Sequence, residues 1–432
     1  VRALAQWEAD AARLEPWPRH GLVDRVTGLV VEGRGPRGAV GQSCALGQED
    51  ELEAEIVGFR SGRTLLMPLG PVTGIRPGQA IRLRPQAPAV PTGDFLVGRV
   101  LDAMGEPIDG RGPLAATGRA PLHRAAPPAM ERPRIDKVFS TGVRSIDGLL
   151  TCGRGQRLGI FAGAGVGKSV LLGMIARRSD AQVNVIGLIG ERGREVREFI
   201  ERDLGEEGLA RSVVVVVTSD QSPLMKRRGA QMATALAESF RDRGQDVLLL
   251  MDSITRVAMA QREIGLAAGE PPAGKGYTPS VFTLLPLLME RAGRDTHGSI
   301  TAFYTVLVDG DDLTDPVADA SRSILDGHLV LSRRLAERSH WPAVDVLASI
   351  SRVRPEVVDE SHDRAVRQLL RWLAAHQEAE DLIQVGAYAK GADADVDQAV
   401  ARMPRIRDWL CQRQTEFSPY RETLRRLMDL VA

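Results

Sequence analysis

The chain has 432 residues, in which 56 Lys and Arg are balanced by 56 Asp and Glu, and 43% of residues are hydrophobic. That length exceeds one small core and predicts two or three domains, while the neutral balance excludes the bulk basic field of a nucleic-acid or membrane-surface binder and leaves only local patches open. Cys44, Cys152 and Cys411 lie far apart without metal-ligand spacing, which fits ordinary thiols in a reducing, cytoplasmic setting, and no run approaches 18 uncharged apolar residues.

Residues 1–15 have helical spacing, with Val1, Leu4, Ala5, Trp7, Ala11 and Leu14 apolar, and Pro16 and Pro18 end the run. Core packing and partner binding are both open to this amphipathic segment. It has no apolar signal core, and the first residue is Val1 rather than Met, which points to a short missing piece ahead of it. From 20 to 85, strand-like runs (21–31, 54–59, 64–68, 80–83) alternate with turns such as Gly33-Arg34-Gly35-Pro36 and Arg76-Pro77-Gly78, the pattern of a small β-barrel. Pro85, Pro88 and Pro91 then form a stiff linker.

From about 95 to 350 the pattern is strand, helix, strand, helix. The runs 183–189, 213–217, 247–251 and 300–306 are continuous apolar runs rich in β-branched residues, as suits strands covered on both faces of a parallel sheet. Helical stretches such as 195–203, 228–242 and 256–267 lie between them, giving a doubly wound α/β domain whose ligands bind at the strand C-termini. Beyond Pro355 the chain reads as helices at 361–378, 382–386, 396–414 and 419–430. The expected domains are therefore 1–88, 89–352 and 353–432.

Phe161-Ala162-Gly163-Ala164-Gly165-Val166-Gly167-Lys168-Ser169 lies between an apolar run (158–161) and a helical one (170–177). This is the strand, glycine loop and helix order of a phosphate-binding P-loop. Gly163, Gly165 and Gly167 let the backbone curl around an anion without Cβ clashes, and successive N–H groups and the helix N-terminus then point at it. Lys168 is placed to reach the β- and γ-phosphates of ATP, and the Ser169 hydroxyl to ligate Mg²⁺. Ala162 stands where the strict motif has its first glycine; it is small enough for the loop to form.

Three further strand ends carry chemistry. Asp252 closes the run 247–251, where a P-loop fold holds a carboxylate for the Mg²⁺ shell. Glu191 follows the run 183–189 and either orients the attacking water or anchors the next helix through a salt bridge; Glu195 suits a helix-start role. Arg352 follows the run 343–348 and is either an intrasubunit ion pair or an arginine finger reaching a neighbouring site.

The stretches 141–177, 187–201, 251–293, 315–337, 341–352 and 386–400 together resemble the rotary-type ATPases of protein export, related to the catalytic subunit of F-type ATP synthase, and most nearly the flagellum-specific export ATPases. The resemblance implies a RecA-like P-loop ATPase core between an N-terminal β-barrel and a C-terminal helical domain. It implies that residues 163–169 (Gly163, Ala164, Gly165, Val166, Gly167, Lys168, Ser169) hold ATP, that Ser169 and Asp252 hold Mg²⁺, and that Glu191 is the catalytic glutamate with Arg192 beside it. It also implies that Arg256 lies near the γ-phosphate, that Arg352 acts in trans, and that Trp341 replaces a tyrosine that stacks on adenine. The family is a homohexameric cytoplasmic ring, peripheral to the inner-membrane export apparatus. Its partners are stator-like and stalk proteins, the export gate and substrate–chaperone complexes. An injectisome ATPase is the alternative within the family, and an F-type synthase subunit fits less well. A regulatory non-catalytic subunit would not need Glu191, and an RNA-tracking motor would need a basic, aromatic-rich barrel, whereas 20–85 holds Phe59 as its only aromatic.

Overall fold

The computed structural model describes residues 20–47, 52–115, 118–308 and 314–432; the predicted helix at 1–15 lies outside them. The chain divides into two compact units, one of 1–89 with 221–227 and 259–281, the other of 90–220 with 228–258 and 282–432.

In the first unit six strands close into a barrel in the order His20–Thr27, Val30–Arg34, Arg63–Pro68, Leu52–Arg60, Ser43–Leu46 and Ala80–Leu83, the last pairing back to the first. Val23, Val31, Cys44, Leu46, Ala54, Ile56, Leu66 and Ile81 fill its interior. The predicted run 21–31 is a hairpin rather than one strand, because the chain turns at Gly28 and Leu29 and Thr27 pairs with Val30. Strand Ser43–Leu46 carries too short an alternation to be read from sequence.

In the second unit the described residues form a nine-stranded sheet. Its path runs Val344–Ser351, Gly327–Leu331, Arg157–Ala162, Ser299–Leu307, Asp246–Asp252, Val183–Glu191, Ser212–Thr218 and Val100–Leu101, with Gly293–Arg294 pairing Ser299–Leu307 off the path. The central strands are parallel and almost wholly buried, as their unbroken apolar sequences require. Val344–Ser351 is the antiparallel edge. Ser299–Leu307 separates the P-loop strand Arg157–Ala162 from Asp246–Asp252, so the two strands with the nucleotide motifs are not neighbours.

Helix Lys168–Arg178 follows the P-loop directly. The predicted helix 195–203 is Gly193–Glu198 continued by a π-helical turn, Phe199–Leu204. Helices Glu360–Gln384, Ala394–Leu410 and Tyr420–Val431 make the C-terminal part; the first is continuous where two pieces were expected, and the second stops four residues early, at Leu410. Asp359 and Asp393 cap the first two, accepting from the N–H groups of His362 and of Asp395 and Val396. Trp409 is buried against Gly148 of helix Arg144–Leu149. Among the described residues no helix is long and apolar enough to cross a membrane.

Candidate active site

The P-loop leaves the C-terminal end of strand Arg157–Ala162 and enters the helix at Lys168. Gly165 and Gly167 have φ of 76° and 83°, in the left-handed region that a side chain would strain. Gly163 and Val166 are buried, while Ala164 and Gly165 form the exposed crest of the loop, with nothing within 4 Å of a Cβ placed on Gly165. The crest is open to an anion, and Ala162, still in the strand, leaves the loop intact.

Lys168 sits between two carboxylates. Its ammonium pairs with Asp252 and lies 3.5 Å from Glu191 Oε1. Burial disfavours the ammonium, but the two carboxylates outweigh that and raise its pKa. Burial raises the Glu191 pKa; the attraction of Lys168 opposes this, and the charge of Asp252 adds to it. Asp252 is held from the intervening strand, where the Thr305 hydroxyl donates to its Oδ1 at 2.7 Å. Thr255, three residues beyond Asp252, accepts the N–H of Leu307 from the same strand at 2.8 Å. Thr305 was not foreseen; only the register that pairs Met251 with Tyr304 puts it beside Asp252.

The structure brings Arg256 against the end of the Glu191 strand. Gly190 has φ 77°, and a Cβ there would stand 2.9 Å from Arg256 Cβ and 3.0 Å from its Cγ. Arg192 faces solvent beside Glu195, 3.4 Å away. Trp341 lies over the loop: a Cβ on Gly167 would be 2.7 Å from Trp341 Cζ3. Trp341 also borders a cavity of about 910 Å³, lined in part by Gly165, Gly167, Val170 and the segment Cys411 to Glu416. Its first four residues, 411–414, belong to the predicted helix 396–414; the helix instead ends at Leu410 and the segment lines the cavity.

Arg352 stands apart from these groups, at the end of the edge strand. Ser351, just before it, is anchored by its hydroxyl to Thr151 O at 2.9 Å and to Gln156 Nε2 at 3.1 Å. The Arg352 N–H donates to Asp326 O at 3.0 Å, while Arg157 holds the Asp326 carboxylate through Nε and Nη2 at 3.1 and 3.0 Å. The Arg352 side chain is exposed, reaches only Leu325 O at 3.4 Å, and pairs with no carboxylate among the described residues.

A crest of backbone N–H groups, a lysine, a hydroxyl at Ser169 and buried carboxylates at adjacent strand ends define a P-loop nucleotide site. The comparisons with known proteins agree. The sequence model of the ATP synthase alpha/beta family, nucleotide-binding domain, matches residues 142–351, and that of the T3SS EscN ATPase C-terminal domain matches 358–429. The chain is similar to the flagellum-specific ATP synthase of Bacillus subtilis (51% identical over 422 residues, 96% of each chain). It is likewise similar to the type 3 secretion system ATPase of Xanthomonas euvesicatoria (52% over 428 residues, 98% of this chain and 96% of that one). In structure it resembles the assembled ATPase EscN of the enteropathogenic E. coli type III secretion system in complex with its central stalk EscO. The TM-score is 0.89 at 41% identity, over 95% of this chain and 100% of EscN. The chain belongs to the ATP synthase alpha/beta family, in the branch of the flagellum-specific and type III secretion ATPases.

Proposed function

We propose that this chain hydrolyses ATP to power protein export by the flagellar type III apparatus, at a P-loop site completed by a neighbouring subunit. The observation that carries the reading is Lys168 between Glu191 and Asp252 at the foot of an open P-loop. In the division 1–88, 89–352 and 353–432, this site belongs to the middle domain.

The residues fit MgATP. The crest has room for a phosphate, and Ser169 and Asp252 offer the hard oxygen donors that Mg²⁺ takes while keeping waters and phosphate oxygens as its other ligands. When bound, Mg²⁺ supplies charge neutralisation on the phosphates. Lys168 holds the β- and γ-phosphates, exchanging part of its contact with Asp252 for phosphate oxygens. Glu191, whose pKa burial raises, accepts the proton of the attacking water. Arg256, braced over Gly190, steadies the γ-phosphoryl, with Arg192 at the rim. The cavity beside Trp341 takes the base, whose face the indole stacks upon.

Arg352 fits a finger donated in trans. Among the described residues its guanidinium meets no carboxylate, and it is exposed at the end of an anchored edge strand. The reading therefore includes a homohexameric ring, supported by the likeness to an assembled ATPase, with a stalk protein as partner, supported by the complex of that relative with EscO. It extends to stator-like proteins, the export gate and substrate–chaperone complexes, and to a cytoplasmic ring lying peripherally at the inner-membrane apparatus. A type 3 secretion ATPase is as similar as a flagellar one, at 52% against 51% identity, so the injectisome reading is kept; it stays second because the runs 259–277 and 315–328 resemble the flagellar branch more, and gene neighbourhood separates the two.

The test is specific ATPase activity against protein concentration. A steep rise is expected, since assembly would complete the site. A specific activity independent of concentration, with a monomer demonstrated by light scattering across the range, would refute the composite site.

A further inference from the structure

The nucleotide cavity, at whose edge Arg144 also lies, has a wall that the P-loop fold does not itself supply: residues 411–416, which follow the C-terminal helix Ala394–Leu410, with Asp408 and Arg426 beside them. A loop segment lining a cavity would be mobile unless something fixed its backbone. Here a single buried guanidinium does so. Arg144, the first residue of helix Arg144–Leu149, is 2% exposed. Its Nε donates to Trp409 O at 2.7 Å, its Nη2 to Cys411 O, and its Nη1 pairs with the Glu416 carboxylate. The backbone N–H of Arg144 donates to Gln412 Oε1 at 2.8 Å. Gln412, itself 4% exposed, donates through Nε2 to Gly142 O at 2.8 Å and to Glu416 O at 3.0 Å. Its own backbone N–H donates to Trp341 O at 2.8 Å.

Among the described residues, the hydrogen bonds and ion pair of the Arg144 side chain all go to residues 409–416, and the loop is tied in turn to the Trp341 backbone. Burying an arginine is unfavourable unless its charge and its donors are all met. Core packing alone would be served better by an apolar side chain. The planar fork is what suits three acceptors on one short segment, and a lysine ammonium cannot hold them in that geometry. We propose that Arg144 is a positioning residue for the base end of the nucleotide. It sets the distance between the 411–416 wall and Trp341, and so governs affinity for the nucleoside without touching the reacting phosphates. The proposal rests on the reading that this cavity holds ATP, and it links that affinity to the placing of the C-terminal helices from which the wall emerges.

The experiment uses the full chain with Arg144→Lys and, separately, Glu416→Gln, which removes the charge partner but keeps an acceptor. Steady-state KM and kcat for ATP, the Ki of inorganic tripolyphosphate as a base-free competitor, and the Tm are measured for each. Arg144→Lys should raise KM by about tenfold or more, the scale of losing hydrogen bonds to a charged group. Glu416→Gln should raise it in the same direction by a smaller factor. For both, kcat at saturation and the tripolyphosphate Ki should stay within about twofold of wild type, because the phosphate end is untouched. A fall in Tm with KM unchanged would overturn the proposal and leave Arg144 as a packing residue. Equal loss of ATP and tripolyphosphate affinity would overturn it too. If Arg144→Lys fails to fold, an unchanged KM in Glu416→Gln overturns it and a raised KM supports it. Wild-type protein that does not bind ATP would instead refute the nucleotide reading beneath it.

Discussion

Replacing Glu191 with Gln should separate catalysis from binding at this site. Glu191 Oε1 is 3.5 Å from Lys168 Nζ, with both side chains about 85% covered. At that distance the bare attraction is about 5 kcal/mol for an effective dielectric of 20. Desolvation offsets most of it, and Lys168 keeps Asp252, so the net change in folding stability should be about 1 kcal/mol. Loss of a positioned general base removes about 10²-fold or more of rate, or about 3 kcal/mol of barrier. The rate effect should therefore exceed the stability effect. Phosphate release at saturating MgATP should fall by that factor, while the Kd of a fluorescent ATP analogue moves by no more than about threefold, since Gln leaves Lys168, Ser169 and Asp252 in place. There is also a pH signature. As the proposed base, Glu191 would act only when ionised, and its pKa is raised, so wild-type kcat should climb with pH through that value. The residual activity of the variant should lack this limb. Turnover within a few fold of wild type, or affinity lost in step with rate, would refute the assignment and return Glu191 to a structural role.

Two other substitutions test the surroundings. Gly190→Ala puts a Cβ at φ 77° and 2.9 Å from Arg256 Cβ; stability should drop by about 1–3 kcal/mol in a denaturant melt, and kcat should fall more than ATP affinity because Arg256 is displaced. His362 is buried, with its Nε2 2.7 Å from Gly148 O, and burial lowers its pKa. The stability it contributes is thus present above the ordinary imidazole value and is lost as pH falls through its folded pKa. The Tm gap between wild type and His362→Gln should accordingly narrow between about pH 7 and pH 5, and a gap that widens would contradict the burial argument.

The legible parts of the fold are those whose signal is local. The P-loop is a continuous string of nine residues, and the buried parallel strands announce themselves as unbroken β-branched runs, as at Val213 to Val217. Glu191 and Asp252 could be named because each ends such a run. What escaped depends on distant pairing. Thr305 meets Asp252 only through the register of two strands some fifty residues apart, and the partners of Arg144 lie more than 260 residues away. The turn at Cys411 was hidden because 411–416 contains neither Gly nor Pro, so the helical pattern seemed to run on to Gln414.

The central claim is that ATP is hydrolysed where one subunit's P-loop meets the next subunit's Arg352. Mixing Lys168→Ala with Arg352→Ala tests it most directly. Each variant alone should be inactive, by about 10³-fold or more for the finger. Rings formed by subunit exchange would contain interfaces that pair an intact Lys168 with a neighbour's intact Arg352. Phosphate release should return in proportion to such interfaces, with exchange followed independently by energy transfer between labelled subunits. Mixed rings that demonstrably form and release no phosphate would contradict the account.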